Sequence, residues 1–254
     1  MFLTKTAYIG IDLTGKKAFN YAALDEEMGL LALSGGELDE LLAFIGGQSS
    51  AVVAINAPAK PNQGRVRALL EAESLEKGKV SLRGADMRLA EYELRQRDIK
   101  VAATPDHPRN CASWMRSGFA LYEKLTGMGF KPYPTKDTSH QVLETHPHAG
   151  FLTLAGGSLL SAASLEGRLQ RQTILHGEGL GIRDGMEFFE EVTRFKLKQG
   201  ILPLEKVYSS TQLDVLLAAY TAWLAANEPK STSALGDVEE GQIYLPVSEL
   251  KAKY

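Results

Sequence analysis

The chain has 254 residues, 44% of them hydrophobic, enough for one substantial core and close to the size at which single cores divide. Its 28 Lys and Arg stand against 31 Asp and Glu, which excludes a basic field spread over the whole surface and makes any nucleic-acid affinity a local property. The single cysteine, Cys111, excludes an internal disulfide framework and fits a reducing compartment. The opening "MFLTKTAYIG" has neither a cationic signal region nor a long apolar span, so no membrane association and a cytoplasmic location are expected.

In chain order, Thr6 to Asp12 is an apolar, β-branched run that predicts a buried strand ended by a turn at "LTGKK" with Gly15. "AFNYAAL" and "GLLALS" predict two more strands, joined through Asp25 to Gly29, hence an antiparallel meander. "GGELDELLAFIGGQ" carries Leu38, Leu41, Leu42 and Ile45 at helical spacing, and "AVVAINAP" is a strand stopped by Pro58. A helical crossover makes that strand parallel to the first. The middle predicts helices in "RVRALLEAESLEKG", "GADMRLAEYELRQRD" and "NCASWMRSGFALYEKLTGMGF", then a short strand in "HQVLETHPHAG" closed by Pro147. "LEGRLQRQTILHGEGL" and "DGMEFFEEVTRFKLKQG" predict a helical lobe. "SSTQLDVLLAAYTAWLAAN" is the strongest helix, with Ser209 or Ser210 as its cap, and "LGDVEEGQIYLP" reads as a turn and a terminal strand. The expected organisation is a single domain, 1–254, with helical insertions at about 60–135 and 150–205.

Three acids stand on or beside these elements: Asp12 on the first strand, Glu144 on the strand before Pro147, and Asp214 near the start of the apolar helix. Carboxylates from separate elements converge when a cation offsets their repulsion, and oxygen ligands suit Mg²⁺ or Mn²⁺. Each acid alone equally serves as a turn, cap or first-turn residue.

The ordered pieces "IGID", "AINAP", "RLAEYELR", "ETHPHAG", "QLDVLLAAYTAWLAA" and "LGDVEEGQIYLP" resemble a family of uncharacterised proteins described as predicted RNase-H-like nucleases, the domain-of-unknown-function 429 type. The resemblance runs from Ile9 to Pro246. It implies an α/β, ribonuclease-H-like fold: a five-stranded mixed sheet, three antiparallel strands then parallel ones, flanked by helices with a helical insertion. It further implies a metal-dependent nuclease or phosphodiesterase acting on nucleic acid or a nucleotide, with Asp12, Glu144 and Asp214 as catalytic and metal-holding acids. The family shows "IDAP" where this chain has "INAP", so Asn56 offers a carbonyl oxygen without charge. Similar Holliday-junction resolvases often carry a further acid one turn before the last; here that position is Thr211.

Beside the acids, alternation along "ETHPH" places Glu144, His146 and His148 on one face, which suggests a proton donor or a metal ligand at His146. "RLAEYELR" places Arg88, Glu91 and Arg95 on one helical stripe: a phosphate-binding pair of Arg88 and Arg95 steadied by Glu91, extended by Arg83 and Arg109, or an exposed ion-paired face. Cys111, Trp114 and Trp223 read as core, and "GDVEEG" as a solvated turn. Two rival functions follow from Asn56 and the sheet: a catalytically weakened RNase-H-like binding module, or a nucleotide-binding or phosphotransfer protein.

Overall fold

A computed structural model describes residues 6–13, 19–77 and 83–254. The turn expected at Gly15 lies outside them. Strands β1 (Thr6–Asp12), β2 (Phe19–Leu24) and β3 (Leu30–Gly36) form the antiparallel meander. Helix α1 (Leu38–Gly46) then carries the chain to β4 (Ser50–Asn56), which runs parallel to β1 with Asp12 beside Asn56. Helices α2 (Arg65–Lys77), α3 (Leu89–Gln96) and α4 (Ser113–Gly127) lead to the two-residue β5 (Lys131–Pro132) and to β6 (His140–Thr145), parallel to β4. After α5 (Pro147–Ala155), α6 (Leu165–Gly177), α7 (Glu187–Glu191), α8 (Arg194–Lys198) and α9 (Ser210–Asn227), β7 (Ser233–Asp237) and β8 (Gly241–Leu245) close the sheet.

The sheet has eight strands, ordered β3-β2-β1-β4-β6-β8-β7, with β5 also on β6. Five strands were expected, and β3-β2-β1-β4-β6 has the anticipated directions. The correction is at the far edge. Gly236 and Gly241 adopt φ of 94° and 112°, so "LGDVEEGQIYLP" folds back as a hairpin of two strands. Two helical expectations also shrink: α3 begins only at Leu89, because Gly84 takes φ 89° and Arg88 is extended, and the 187–198 lobe is two five-residue helices. Among the described residues, no helix is long and apolar enough to cross a membrane.

Alternation divides the core. Tyr8, Val52, Ala54 and Leu143 pack on the face covered by α9, whereas Ile9, Ile11, Val53, Ile55 and Val142 pack against α1 and α4. Helix α9 is buried nearly all round, from Leu213 to Ala225, as expected of a helix wedged between the sheet and α5 and α6. Ser209 caps it with Gln212 in a reciprocal capping box. Gly10 sets its height above the sheet: a Cβ there would lie 2.1 Å from Val215 O and 2.2 Å from Ala219 N. The glycine of "IGID" thereby lets the helix backbone rest on β1, one residue from Asp214 and two from Asp12.

Candidate functional site at the carboxyl edge of the sheet

Asp12, Asn56 and Thr145 end β1, β4 and β6, and α9 delivers Asp214 to the same edge. Crevices outside the carboxyl ends of parallel strands are where open α/β sheets bind ligands. A cavity of about 200 Å³ opens here, walled by Asn56, Pro58, Trp114, Glu144, His146 and Asp214.

Asp12 is buried, and its Oδ1 accepts a hydrogen bond from Asn56 Nδ2 at 2.7 Å. The Asn56 amide thus serves Asp12 as a donor and leaves its own carbonyl oxygen outside that bond. Asp214 is half-buried; desolvation first, then the negative charge of Asp12, push its carboxyl up to about 7, while Arg171 pulls the other way. The two aspartates therefore feel each other across the cleft between β1 and α9.

Glu144 is placed differently. It is in register with Ile55, whose side chain packs on the face opposite Asp12 and Asn56. There it is closed off: Arg88 donates Nη1 to Glu144 Oε2 at 2.9 Å and Nη2 to Oε1, and the Ala59 N–H donates to Oε2 at 2.9 Å. Burial pushes the Glu144 carboxyl up, with Arg88 acting against it. Burial alone would lower the Arg88 guanidinium, yet Glu144 and Glu91 outweigh it and hold the proton more firmly than usual. Arg88 Nε reaches Glu91 Oε1 at 2.8 Å, and Glu91 also accepts from Thr104 N and Thr104 Oγ1. Among the described residues, no three His, Cys, Asp or Glu side chains gather closely enough to hold a metal ion. One-residue alternation is the reason: Asp12 and Glu144 leave the sheet on opposite faces.

The charged stripe expected over Arg88, Glu91 and Arg95 is likewise divided. Arg88 is the N-cap of α3, not a helical residue, and is 1% exposed with its fork spent on Glu144. Arg95 is exposed and donates to Val101 O at 3.1 Å, while Arg83 and Arg109 are also at the surface. The extended face expected for Glu144, His146 and His148 ends at His146, since Pro147 starts α5. His146 caps that helix: its Nδ1 accepts from Ala149 N at 3.1 Å, which assigns the proton to Nε2. Desolvation first, then His148, push the His146 imidazole down to about 4, so near neutrality it is a neutral ring.

The sequence matches "Protein of unknown function (DUF429)" over residues 10–240. The chain belongs to the DUF429 family. No curated protein matches it. No solved structure matches it either.

The motifs of this DUF429 chain converge on two centres. "IGID" and "QLDVLLAA" meet at Asp12, Gly10 and Asp214. "RLAEYELR", "ETHPHAG", "AINAPA" and "GDVEEG" meet at Arg88, Glu144, Ala59 and Glu240. Glu240 is fully buried, and it accepts from Leu89 N and Gln63 N, each at 2.7 Å. It had the signature of a solvated turn; its neighbour Gly241, tight against Arg88 and Glu144, is what seats it inside.

Arg171 is the other residue that sequence reasoning missed. It is 2% exposed, donates Nη1 to Leu160 O at 2.9 Å and Gly167 O at 2.8 Å, and lies over the Phe151 ring at 5.4 Å. Its charge acts on both Asp214 and His148. Nothing in "LEGRLQRQTILHG" distinguishes it from Arg168. Cys111 is a buried thiol whose Sγ faces the Pro105 and His107 carbonyls, and burial pushes it up, consistent with a structural role. Trp114, expected in the core, is half-buried, packs against the core on the α1 and α4 face, and also walls the cavity.

Proposed function

We propose that this chain is a phosphodiester hydrolase of ribonuclease-H-like architecture, acting on nucleic acid or a nucleotide at the cleft between β1 and α9. The observation that carries this reading is that α9, whose backbone at Val215 packs directly on Gly10 of β1, brings Asp214 to the carboxyl edge where Asp12 ends that strand, in a sheet ordered β3-β2-β1-β4-β6. The strand directions, three antiparallel then parallel, support the ribonuclease-H-like part of the reading.

Mg²⁺ or Mn²⁺ is the cofactor this reading implies, and the donor set fits one such ion. Mg²⁺ is held by one or two carboxylates, keeps several waters, and takes its remaining oxygens from phosphate. Asp12 and Asp214 would be those carboxylates; Glu144, spoken for by Arg88, is not offered as a third. Such an ion polarises a phosphoryl oxygen and makes water a better nucleophile. Asn56 orients Asp12 through its amide. Arg171 supplies the positive field on the Asp214 side, the part expected of Arg88 and Arg95. His146 offers an Nε2–H donor to the cavity it lines.

Incubation of the purified chain with single-stranded oligonucleotides should give cleavage in Mg²⁺ or Mn²⁺, and Asp12→Ala should lower it by at least 100-fold. Cleavage that persists in EDTA or in Asp12→Ala would sink the reading.

A second reading, a binding module without catalysis, is favoured by one observation: Glu144 is already neutralised by Arg88. Asn56→Asp separates the two. A gain of metal-dependent cleavage supports a weakened hydrolase, whereas unchanged inactivity with retained oligonucleotide binding supports the module.

A further inference from the structure

On the other side of the Arg88–Glu144 pair lies a second, larger cavity. β6 pairs with β5 at Gln141 and Val142 and with β8 at Glu144 and Thr145, and a space of about 340 Å³ opens where these short partners meet. That is within the range of about 300–1,000 Å³ used for small ligands. Phe119, Tyr122, Tyr133 and Tyr244 supply aromatic walls, Gln242 a side amide and Lys60 a cation. Glu144 lines this cavity and also the one that holds Asp214.

The tyrosine hydroxyls are engaged by the protein. Tyr122 OH donates to Leu143 O at 3.3 Å and Tyr133 OH to Ala225 O, while the single Tyr244 hydroxyl proton faces two acceptors, Gln242 Oε1 at 3.2 Å and Tyr133 O at 3.3 Å. What they leave to a guest is ring surface. With the Tyr244 proton on the nearer acceptor, Gln242 Oε1, the Gln242 Nε2 is the donor presented. Lys60 Nζ is held by the neutral Glu239 carbonyl at 2.7 Å, which leaves its charge uncancelled by that contact. Glu123 stands on the rim as well and disfavours an anion deep inside.

We propose that this cavity is a nucleobase subsite. A planar heterocycle packs against the aromatic walls, an edge acceptor of the base takes the Gln242 Nε2–H, and Lys60 faces a phosphate at the mouth. Aromatic walls with one amide donor are how single-stranded bases are held and read. The inference deepens the hydrolase reading and rests on its assignment of a nucleic acid or nucleotide as the substrate.

Calorimetric titration of the full chain with adenosine, guanosine, cytidine and uridine, with ribose as the base-free control, tests it. At least one nucleoside should bind and ribose should not. Gln242→Ala should weaken binding about fivefold, and Phe119→Ala about tenfold. Should Phe119→Ala not fold, half-buried Gln242 decides alone. No nucleoside binding, or equal affinity in Gln242→Ala, overturns the subsite. Nucleoside binding without cleavage of any oligonucleotide keeps the subsite and removes the hydrolase, and cleavage without nucleoside binding does the reverse.

Discussion

Two carboxylate centres lie a few residues apart at one edge of the sheet, and they are built on opposite principles. Around Arg88, the acids Glu144 and Glu91 are saturated with donors, and Glu240 closes the neighbouring helix start and loop. Between β1 and α9, Asp214 is pushed toward neutrality by burial and by another acid. A satisfied buried network specifies how elements dock, whereas acids pressed together store an unfavourable charge that an incoming cation or proton relieves. The first centre therefore has the character of architecture and the second that of a reactive site, although both draw on the same class of residue.

The first centre is most rigid at Arg88. Arg88→Met should cost about 3–5 kcal/mol, read by urea unfolding, because it strands Glu144 in the interior; adding Glu144→Leu should restore part of that loss. Gly10→Ala should cost about 3 kcal/mol, since its methyl would meet backbone atoms of α9 and not a yielding side chain. It should also return Asp214 toward an ordinary carboxylate titration by lifting α9 from β1, measurable by NMR.

Asp214→Asn should do the reverse and stabilise the fold. The folded carboxyl titrates near 7 and the unfolded one near 3.8, so unfolding releases a proton between those values and the wild-type protein loses stability as pH rises through that window. The variant's advantage should be nearly absent at pH 4 and grow as pH rises toward 8, where roughly 4 kcal/mol from a gap of about three pH units, discounted by half for the solvent that reaches half-buried Asp214, leaves on the order of 2 kcal/mol. Equal stability of the two proteins at pH 8 would show that Asp214 is not strained. Arg95→Ala, on the exposed side of α3, should shift stability by less than about 0.5 kcal/mol; a larger loss would extend the rigid centre to the surface.

Much of the scaffold was legible. The runs around Ile9, Val53 and Leu216 are apolar with a period that declares strand or helix, and those elements stand where the pattern puts them. Elements whose ends depend on backbone conformation were less so: α3 loses its first turn to Gly84 and Arg88, and the terminal hairpin depends on Gly236 and Gly241. Of the candidate residues, Asp12, Asn56 and Asp214 were found as neighbours. Arg171 and Glu240 carry no local signal, because each is defined by what packs over it.

The strands of the sheet's first half, the nearly fully buried helix and the acids at the strand ends were all written in the chain, because hydrophobic period and turn chemistry are local. Only the tertiary structure decided which acids meet. Asp12 and Glu144 are separated by the pleat, Gly10 brings Asp214 down to the first, and Arg88 arrives from α3 to claim the second. Those outcomes depend on register and on the distance between packed backbones, to which residues far apart in the chain contribute together.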